Sequence, residues 1–369
     1  MALFKYGFCK KDFLFGGIIT VIITAVALIL FIIGLSTRVF DPIGQALEGF
    51  HLSDGLFYSQ AKRQLSNIEI NPDIVIVDIQ DSDSREEISQ IIRKINQAGP
   101  KSLAVDIIFG RYASASSRED SALVASLKES PNLIIAQRNV RGENGWHNER
   151  SFFADEVVCQ EGDVSFNPGT VRSFSPSFDV DGETAPSFIA LIAQQAGLEV
   201  PSGELTINYA PVKTVSLSPS KINDYSLLHD QIVILGDAGD LRDYHQTPIL
   251  FNGQPRAPGV YIIAQCVYTL QPHNKFYSCP EWLSIIIGFT LTYLFCTFIA
   301  SPMYRNNKFN GLWIAIWQVV VLVILLVITY ILFWEFHFIV SLTYWLLGVG
   351  LSEFSTELFY FFEPKIIKE

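Results

Sequence analysis

"VILGDAGDLRDYHQTP", residues 233–248, begins as an unbroken apolar run and breaks into two glycines, three aspartates, an arginine and a histidine. An apolar run of this length, bounded by turn residues, reads as a buried strand. The polar burst behind it is then a reaction centre, a ligand or metal site, or the turn that follows the strand. Choosing between these requires knowing what the strand pairs with and which side of a membrane it occupies.

Its companions are legible. "IVIVDI" (74–79), "SLAVDIIF" (102–109), "LIIAQ" (133–137) and "LTINYA" (205–210) are short runs rich in Ile and Val, like "IVILGD" (232–237) itself. Runs apolar on both faces and interleaved with helical patterns predict a parallel sheet covered by helices. The first of those helices is marked at both ends. Ser84 and Glu87 stand at capping-box spacing, Ile88, Ile91, Ile92 and Ile95 fall on one face, and Gly99 with Pro100 ends the pattern. Residues 119–129, 186–197 and 258–270 predict three more, the last with Pro258 near its first turn and Val260, Ile263, Ala264 and Val267 on one face. The fold class is α/β, a mostly parallel or mixed sheet with flanking helices.

Four further stretches are long enough to cross a bilayer, which takes about 20 helical residues. Phe13–Leu35, Trp282–Ala300 and Gly311–Phe333 contain no charge, whereas 336–358 carries Glu353 and Glu357 in its last third. Lysines and arginines of short loops stay on the cytoplasmic side. Lys5, Lys10 and Lys11 precede the first stretch, Arg305 and Lys308 separate the second from the third, and Lys365 and Lys368 follow the fourth. The expected layout is therefore 1–12 inside, 13–35 a retained anchor, 36–280 outside, 281–362 a three-helix transmembrane bundle and 363–369 inside. A cleaved signal peptide is the alternative for the first stretch, but its apolar core is longer than such a peptide uses. Trp282, Tyr304 and Trp334 fall at the interfaces that amphipathic rings favour.

Charge divides the same way. Residues 36–280 hold 19 Lys and Arg against 30 Asp and Glu, so the whole formal charge of −11 resides there. An acidic outer surface argues against nucleic acid or anionic lipid as its partner. Cys159, Cys266 and Cys279 leave room for one disulfide but suit no zinc spacing. The outer segment has no N-x-S/T sequon, as suits a bacterial periplasm.

"IVIVDIQDSD", "AGPKSLAVDIIF", "EDSALVASLKESPNLIIAQ", "LTINYA", "DQIVILGDAGDLRDYHQTP" and "APGVYIIAQCVYTL" occur in the order of the type-two CHASE domain, which the chain resembles over most of residues 40–275. The resemblance implies an extracellular sensory domain of a bacterial inner-membrane protein, with one span before it and three after it. It departs in two places. The stretch from Arg138 to Cys159 looks unlike the family, and the chain stops about seven residues after its last span, where members commonly continue into a cyclase, kinase or phosphodiesterase region.

In parallel sheets ligands bind beyond the carboxyl ends of the strands. Asp78, Asp106 and Asp237 lie at or near such ends, and Asp240, Asp243 and His245 follow the last of them. If these strands are neighbours, the residues converge on one edge as a small-ligand or cation site, any metal being unknown. The competing reading is that each acid caps a turn or helix, that His245 bonds nearby backbone, and that Gly236 and Gly239 supply φ freedom before Pro248 restarts an extended segment. No G-x-S-x-G elbow, H-E-x-x-H, Walker loop or cofactor motif occurs, so neither an enzyme nor a cofactor is expected. Tyr209 and Tyr244 read as core. Glu353 and Glu357, i and i+4, share a helix face, and an acid at membrane depth needs protein, water or a partner beside it. The expected function is a sensor or ligand-binding protein whose output passes to a separate membrane or envelope protein, or to a second copy of the chain. The rivals are a docking subunit of an envelope complex and an ion or proton path through the C-terminal spans.

Overall fold

The computed structural model describes residues 10–36, 52–64, 73–82, 84–110, 117–142, 145–180, 182–209, 215–217, 224–306 and 310–366. The chain divides into two compact units, Phe57–Phe276 and Met1–Leu56 with Tyr277–Glu369.

The first unit is α/β. Its sheet runs, in spatial order, Val215–Leu217, Ile74–Asp78, Ile232–Gly236, Ser102–Asp106, Leu133–Gly142 and Gln160–Asp163, every pairing parallel. Gly145–Glu149 folds back antiparallel on the far half of Leu133–Gly142, forming a hairpin in the stretch that looked unlike the family. Ile74–Asp78 and Ile232–Gly236 are buried along their whole length, which explains why they read as continuous apolar runs. On one face Val75, Val77, Leu103, Val105, Val233 and Leu235 pack with Ile88, Ile91, Ile92 and Ile95 of the helix Arg85–Ala98 and with Leu123 and Leu127 of Ser117–Lys128. Helices Phe188–Gln195 and Gly259–Leu270 also pack against strands of the sheet. The first helix starts and stops as its sequence requires: Ser84 accepts a hydrogen bond from the Glu87 N–H, and Gly99 takes the left-handed conformation at φ 70°.

One expected strand is elsewhere. Of its described residues only Leu205–Thr206 form a strand, which pairs antiparallel with Ser173–Phe174 outside the main sheet. Polar groups decide this. The Asn208 N–H donates to Thr269 Oγ1, its amide nitrogen donates to the Asn274 carbonyl, and Tyr209 OH donates to the Val171 carbonyl, tying the segment to the end of the Gly259–Leu270 helix.

The second unit is helical. Lys11–Ile29, Glu281–Tyr304 and Gly311–Phe336 are long and apolar enough to cross a membrane. The second of these contains a π turn at Cys296–Ala300. The fourth expected span is not one helix. Phe338–Ile339 pairs in parallel with Tyr277–Ser278, and helices Thr343–Gly350 and Ser352–Ile366 follow, separated at Leu351. Gln318, from inside the Asn310–Phe336 helix, donates its amide to the carbonyls of Val349 and Gly350 at 2.9 and 3.2 Å, covering groups at that break. The unit exposes many apolar side chains and buries several polar ones beside its apolar clusters. Thr292, Ser301, Gln318, Ser352, Ser355 and Thr356 are buried, while Phe289, Trp313, Val319, Phe354 and Phe361 are exposed. That inversion suits helices solvated by lipid and fits a membrane protein.

Candidate functional site

The strand order answers the conditional posed by the sequence. Ile232–Gly236 lies between Ile74–Asp78 and Ser102–Asp106, and their last residues are level, Asp78 against Gly236 and Gly236 against Asp106. Asp78, Asp106 and Asp237 therefore end on one edge of the sheet, with Asp240, Asp243 and His245 in the loop and strand that follow.

The six side chains do not act alike. Asp78 is buried, and its Oδ1 accepts hydrogen bonds from the N–H groups of Gln80 and Ala238 at 3.1 and 3.0 Å, tying the end of one strand to the loop after its neighbour. Asp237 Oδ1 accepts from the Gly239 N–H at 2.7 Å and closes its own turn. Asp240 caps the short 3-10 helix Leu241–Asp243 by accepting from the Arg242 N–H, and its carboxylate also holds the Arg242 guanidinium at 2.8 Å. Those hydrogen bonds from Arg242 lower the Asp240 pKa. These three acids stabilise turns, as the competing reading of the sequence proposed.

Asp106 and Asp243 differ. Asp243 Oδ2 accepts a hydrogen bond at 3.2 Å from Gly259, the first residue of the Gly259–Leu270 helix, and Oδ1 lies 3.3 Å from His245 Nε2. A carboxylate there meets the unpaired N–H groups and the positive end of the helix dipole. Phe166 packs edge-on against His245, with ring centroids 5.2 Å apart. Asp106 is half-buried, and its carboxyl accepts no hydrogen bond among the described residues. Burial first and the charge of Asp243 second push its pKa up to about 7, against the opposing charge of the exposed Arg138.

Two glycines make the arrangement sterically possible. A Cβ at Gly236 would stand 2.8 Å from Val260 Cγ2 and 3.5 Å from Asp106 Cβ, and one at Gly259 would stand 2.3 Å from Asp243 Oδ2. Neither Gly236 nor Gly239 has a positive φ, so the conformational freedom expected of them is not what they supply. They supply room. Nor does Pro248 restart the extended chain, since the strand already begins at Tyr244. The Tyr244 hydroxyl donates to the Ala238 carbonyl, and Tyr209 is buried.

Sequence reasoning missed Arg138, Phe166 and Asp163. Asp163 is buried at the end of its strand and accepts from the N–H groups of Asn139 and Ser165, both at 2.7 Å. Its strand is "QEGD", which has no apolar signal to mark it. Among the described residues no three His, Cys, Asp or Glu side chains group so as to hold a metal ion. Cys159, Cys266 and Cys279 are free thiols, so the disulfide left open by the sequence is not formed.

Glu353 and Glu357 meet at the start of another helix. A Cβ on Gly311 would lie 3.1 Å from Glu353 Oε1 and 3.3 Å from Glu357 Oε1, which sets both carboxylates beside the first turn of Asn310–Phe336.

The family model described as CHASE2 domain matches residues 23–301, and the chain belongs to that family of sensory domains. No curated protein and no solved structure matches the chain.

Two outcomes follow from the site's geometry. Replacing Asp237 by Ala should cost about 0.5–2 kcal/mol, as for a lost cap, and Asp78→Ala should cost more because it leaves two donors, the Ala238 N–H buried, without their acceptor. Chemical unfolding of the full chain measures both. The second outcome concerns pH. An acid whose pKa in the fold exceeds its ordinary 3.8 is bound to its proton more tightly in the folded state, so stability falls as pH rises from about 4 to about 7 and is level above that. Asp106→Asn should match the wild type in melting temperature near pH 4 and exceed it at pH 8. An equal change at both pH values would show that burial does not hold this proton.

Proposed function

We propose that the chain is a membrane-anchored sensor whose α/β unit reads a small ligand at its strand-end edge and whose output passes through the helical unit to a separate protein. The observation that carries this reading is the seating of Asp243, with His245 beside it and its charge acting on Asp106, on the first turn of Gly259–Leu270. That helix is the last of the α/β unit, and the chain leaves the unit only six residues beyond it, at Phe276.

The proposed layout has both termini cytoplasmic, residues 36–280 outside in a bacterial periplasm, and four crossings, the fourth made by the broken helix after Thr343. The exposed Phe354, Phe361 and Phe362 and the buried Ser352, Ser355 and Thr356 of Ser352–Ile366 support the fourth crossing. An element that transmits a signal must have two arrangements that both ends can bias. The C-terminal segments have suitable parts. Tyr277–Ser278 pairs with Phe338–Ile339, the Trp345 indole donates to the Ser284 carbonyl, and Gly348 admits Thr292 so closely that a Cβ there would be 2.0 Å from its Oγ1. Strand lies beside strand and helix beside helix, so a displacement entering at Tyr277 engages both segments together.

The partner in this reading is another membrane protein or a second copy, engaged through the cytoplasmic end where Glu353 and Glu357 lie. Nothing in the reading requires catalysis or a cofactor.

A cysteine accessibility scan tests the layout. Positions near Asn144 should label from outside and positions near Asn306 only after permeabilisation, and the reverse pattern would sink the reading. Replacing Glu353 and Glu357 together by Gln keeps their shape and removes their charge. The double variant should insert normally yet lose its crosslinked partner in a detergent pull-down from native membranes. Full partner recovery with a lowered melting temperature would instead assign the pair to the N-terminus of Asn310–Phe336.

A further inference from the structure

We propose that the helical unit binds a monovalent cation of sodium's size, with its water, in the interior bounded by Asp12, Thr297, Ser301, Ser355 and Tyr360. This site is separate from the strand-end edge and goes beyond what the α/β unit reads.

Three elements enclose this interior. The Lys10–Ser36 helix, the π turn Cys296–Ala300 with the Ser301–Asn306 helix behind it, and the Ser352–Ile366 helix pack against one another. Asp12, Thr297, Ser301 and Ser355 are each 0 % exposed, so a carboxylate and three hydroxyls lie wholly inside the bundle. Asp12 belongs to the Lys11–Ile29 stretch that is apolar enough to cross a membrane. An acid inside such a segment is costly, and is kept where it serves an ion or a partner.

The contacts order these groups. Ser301 Oγ donates to Asp12 Oδ1 at 3.2 Å, and the Tyr360 hydroxyl stands 3.1 Å from Ser301 Oγ and 3.4 Å from the Ser301 carbonyl. Tyr360 is fixed there by the stacked ring of Tyr304, with centroids 4.4 Å apart and planes at 12°, and by Phe15 edge-on at 6.0 Å. Oxygens from three elements thus succeed one another at a spacing that lets one small ion touch neighbours. Carboxylate, carbonyl and hydroxyl oxygens are the hard donors that such ions take.

An independent observation points to the ion's water. Other buried hydroxyls of these helices turn back on their own backbone: Thr20 donates to the Gly16 carbonyl, Ser352 to Val349 and Thr356 to Ser352. Thr297 Oγ1 and Ser355 Oγ do not, and among the described residues neither has a hydrogen-bond partner although both are shut off from solvent. Thr297 lies in the π turn, one turn before Ser301, and its hydroxyl points at Gly16, one turn after Asp12, too closely for any Cβ there. Ser355 lies one turn before Phe359, which packs with Ile19, Ile23 and Cys296, so it faces the same interior. Buried polar atoms of this kind call for a water or an ion, and π turns recur at functional sites. The charge of Asp12 selects a cation over an anion or a neutral molecule. Among the described residues no three His, Cys, Asp or Glu side chains gather to hold a divalent one. The cation is therefore monovalent and sits on the Asp12, Ser301 and Tyr360 oxygens, with its water reaching Thr297 and Ser355 one turn away.

Thermal unfolding of the full chain in detergent, at fixed pH and ionic strength in sodium, potassium or choline chloride, tests this. The wild type should melt a few degrees higher in sodium chloride than in the other two. Asp12→Asn keeps the shape and removes the charge, and should melt at one temperature in all three salts. Thr297→Val removes only the hydroxyl, and should raise the sodium concentration that gives half the shift by about tenfold, as when a metal site loses a supporting group. It carries the test if Asp12→Asn fails to fold. Thr329→Val, whose lost hydroxyl bonds the Leu325 carbonyl of its own helix, should leave that concentration unchanged. A wild type that melts no higher in sodium than in the other salts overturns the proposal, showing Asp12 to be held by the protein's own groups. So does an Asp12→Asn protein that still responds to sodium, or a Thr297→Val protein with the wild-type response. None of these results touches the sensory reading, which stands or falls on the topology scan and the partner recovery.

Discussion

The constraint on which the α/β unit depends is the central strand Ile232–Gly236, clamped between two parallel partners and ending in a residue that must lack a side chain. Its four apolar residues are buried on both faces, so its register against Ile74–Asp78 and Ser102–Asp106 is fixed by packing as much as by hydrogen bonds. Gly236 then stands where a Cβ would collide with Val260. The Gly259–Leu270 helix can reach the strand ends only because of that absence. Once it does, Asp243 accepts from its first N–H, and the charge of Asp243 acts on Asp106. The candidate site is thus a product of close approach at one glycine rather than of any local motif.

That approach also explains why equivalent residues have unequal fates. Asp78, Asp106, Asp163 and Asp237 all end or directly follow strands of one sheet. Three of them face loops whose backbone N–H groups turn inward, and each accepts those donors in the way that makes aspartate common at turns. The chain after Asp106 runs on through Ile107 to Phe109, whose N–H is taken by Ser151 Oγ. Among the described residues no donor is hydrogen-bonded to the Asp106 carboxyl. A half-buried acid without donors is a poor way to stabilise a fold. Its presence beside a helix start is what separates this edge from an ordinary row of strand ends.

Much of this was legible from residues, and the limits are physical. Ser84, Glu87 and the four isoleucines defined a helix because capping and 3.6-residue periodicity are local properties. The strands 74–78, 102–106 and 232–236, and residues 133–137 of Leu133–Gly142, were legible because burial on both faces demands continuous apolar side chains. Val215–Leu217 was too short to register, and Gln160–Asp163 is buried through Gly162, where a Cβ would lie 2.5 Å from Phe188 Cα, instead of through apolar side chains. The acids at the edge were nameable in advance. Their division into caps and an uncapped Asp106 was not, because it depends on where distant backbone N–H groups point.

The helical unit shows the same limit in another solvent. Hydropathy measures length and apolarity, and three helices meet its terms. It does not see Leu351, where the helix breaks among apolar neighbours. In water a broken helix is hydrated, but in hydrocarbon each opened carbonyl needs a donor from the protein. Gln318 supplies one from the adjacent helix, and Ser352 Oγ closes on the Val349 carbonyl at 2.6 Å. A backbone held by side-chain donors can exchange them, whereas an unbroken helical ladder has nothing to exchange. The break at Leu351 and the π turn at Cys296–Ala300 interrupt the helices that follow the paired strands Phe338–Ile339 and Tyr277–Ser278.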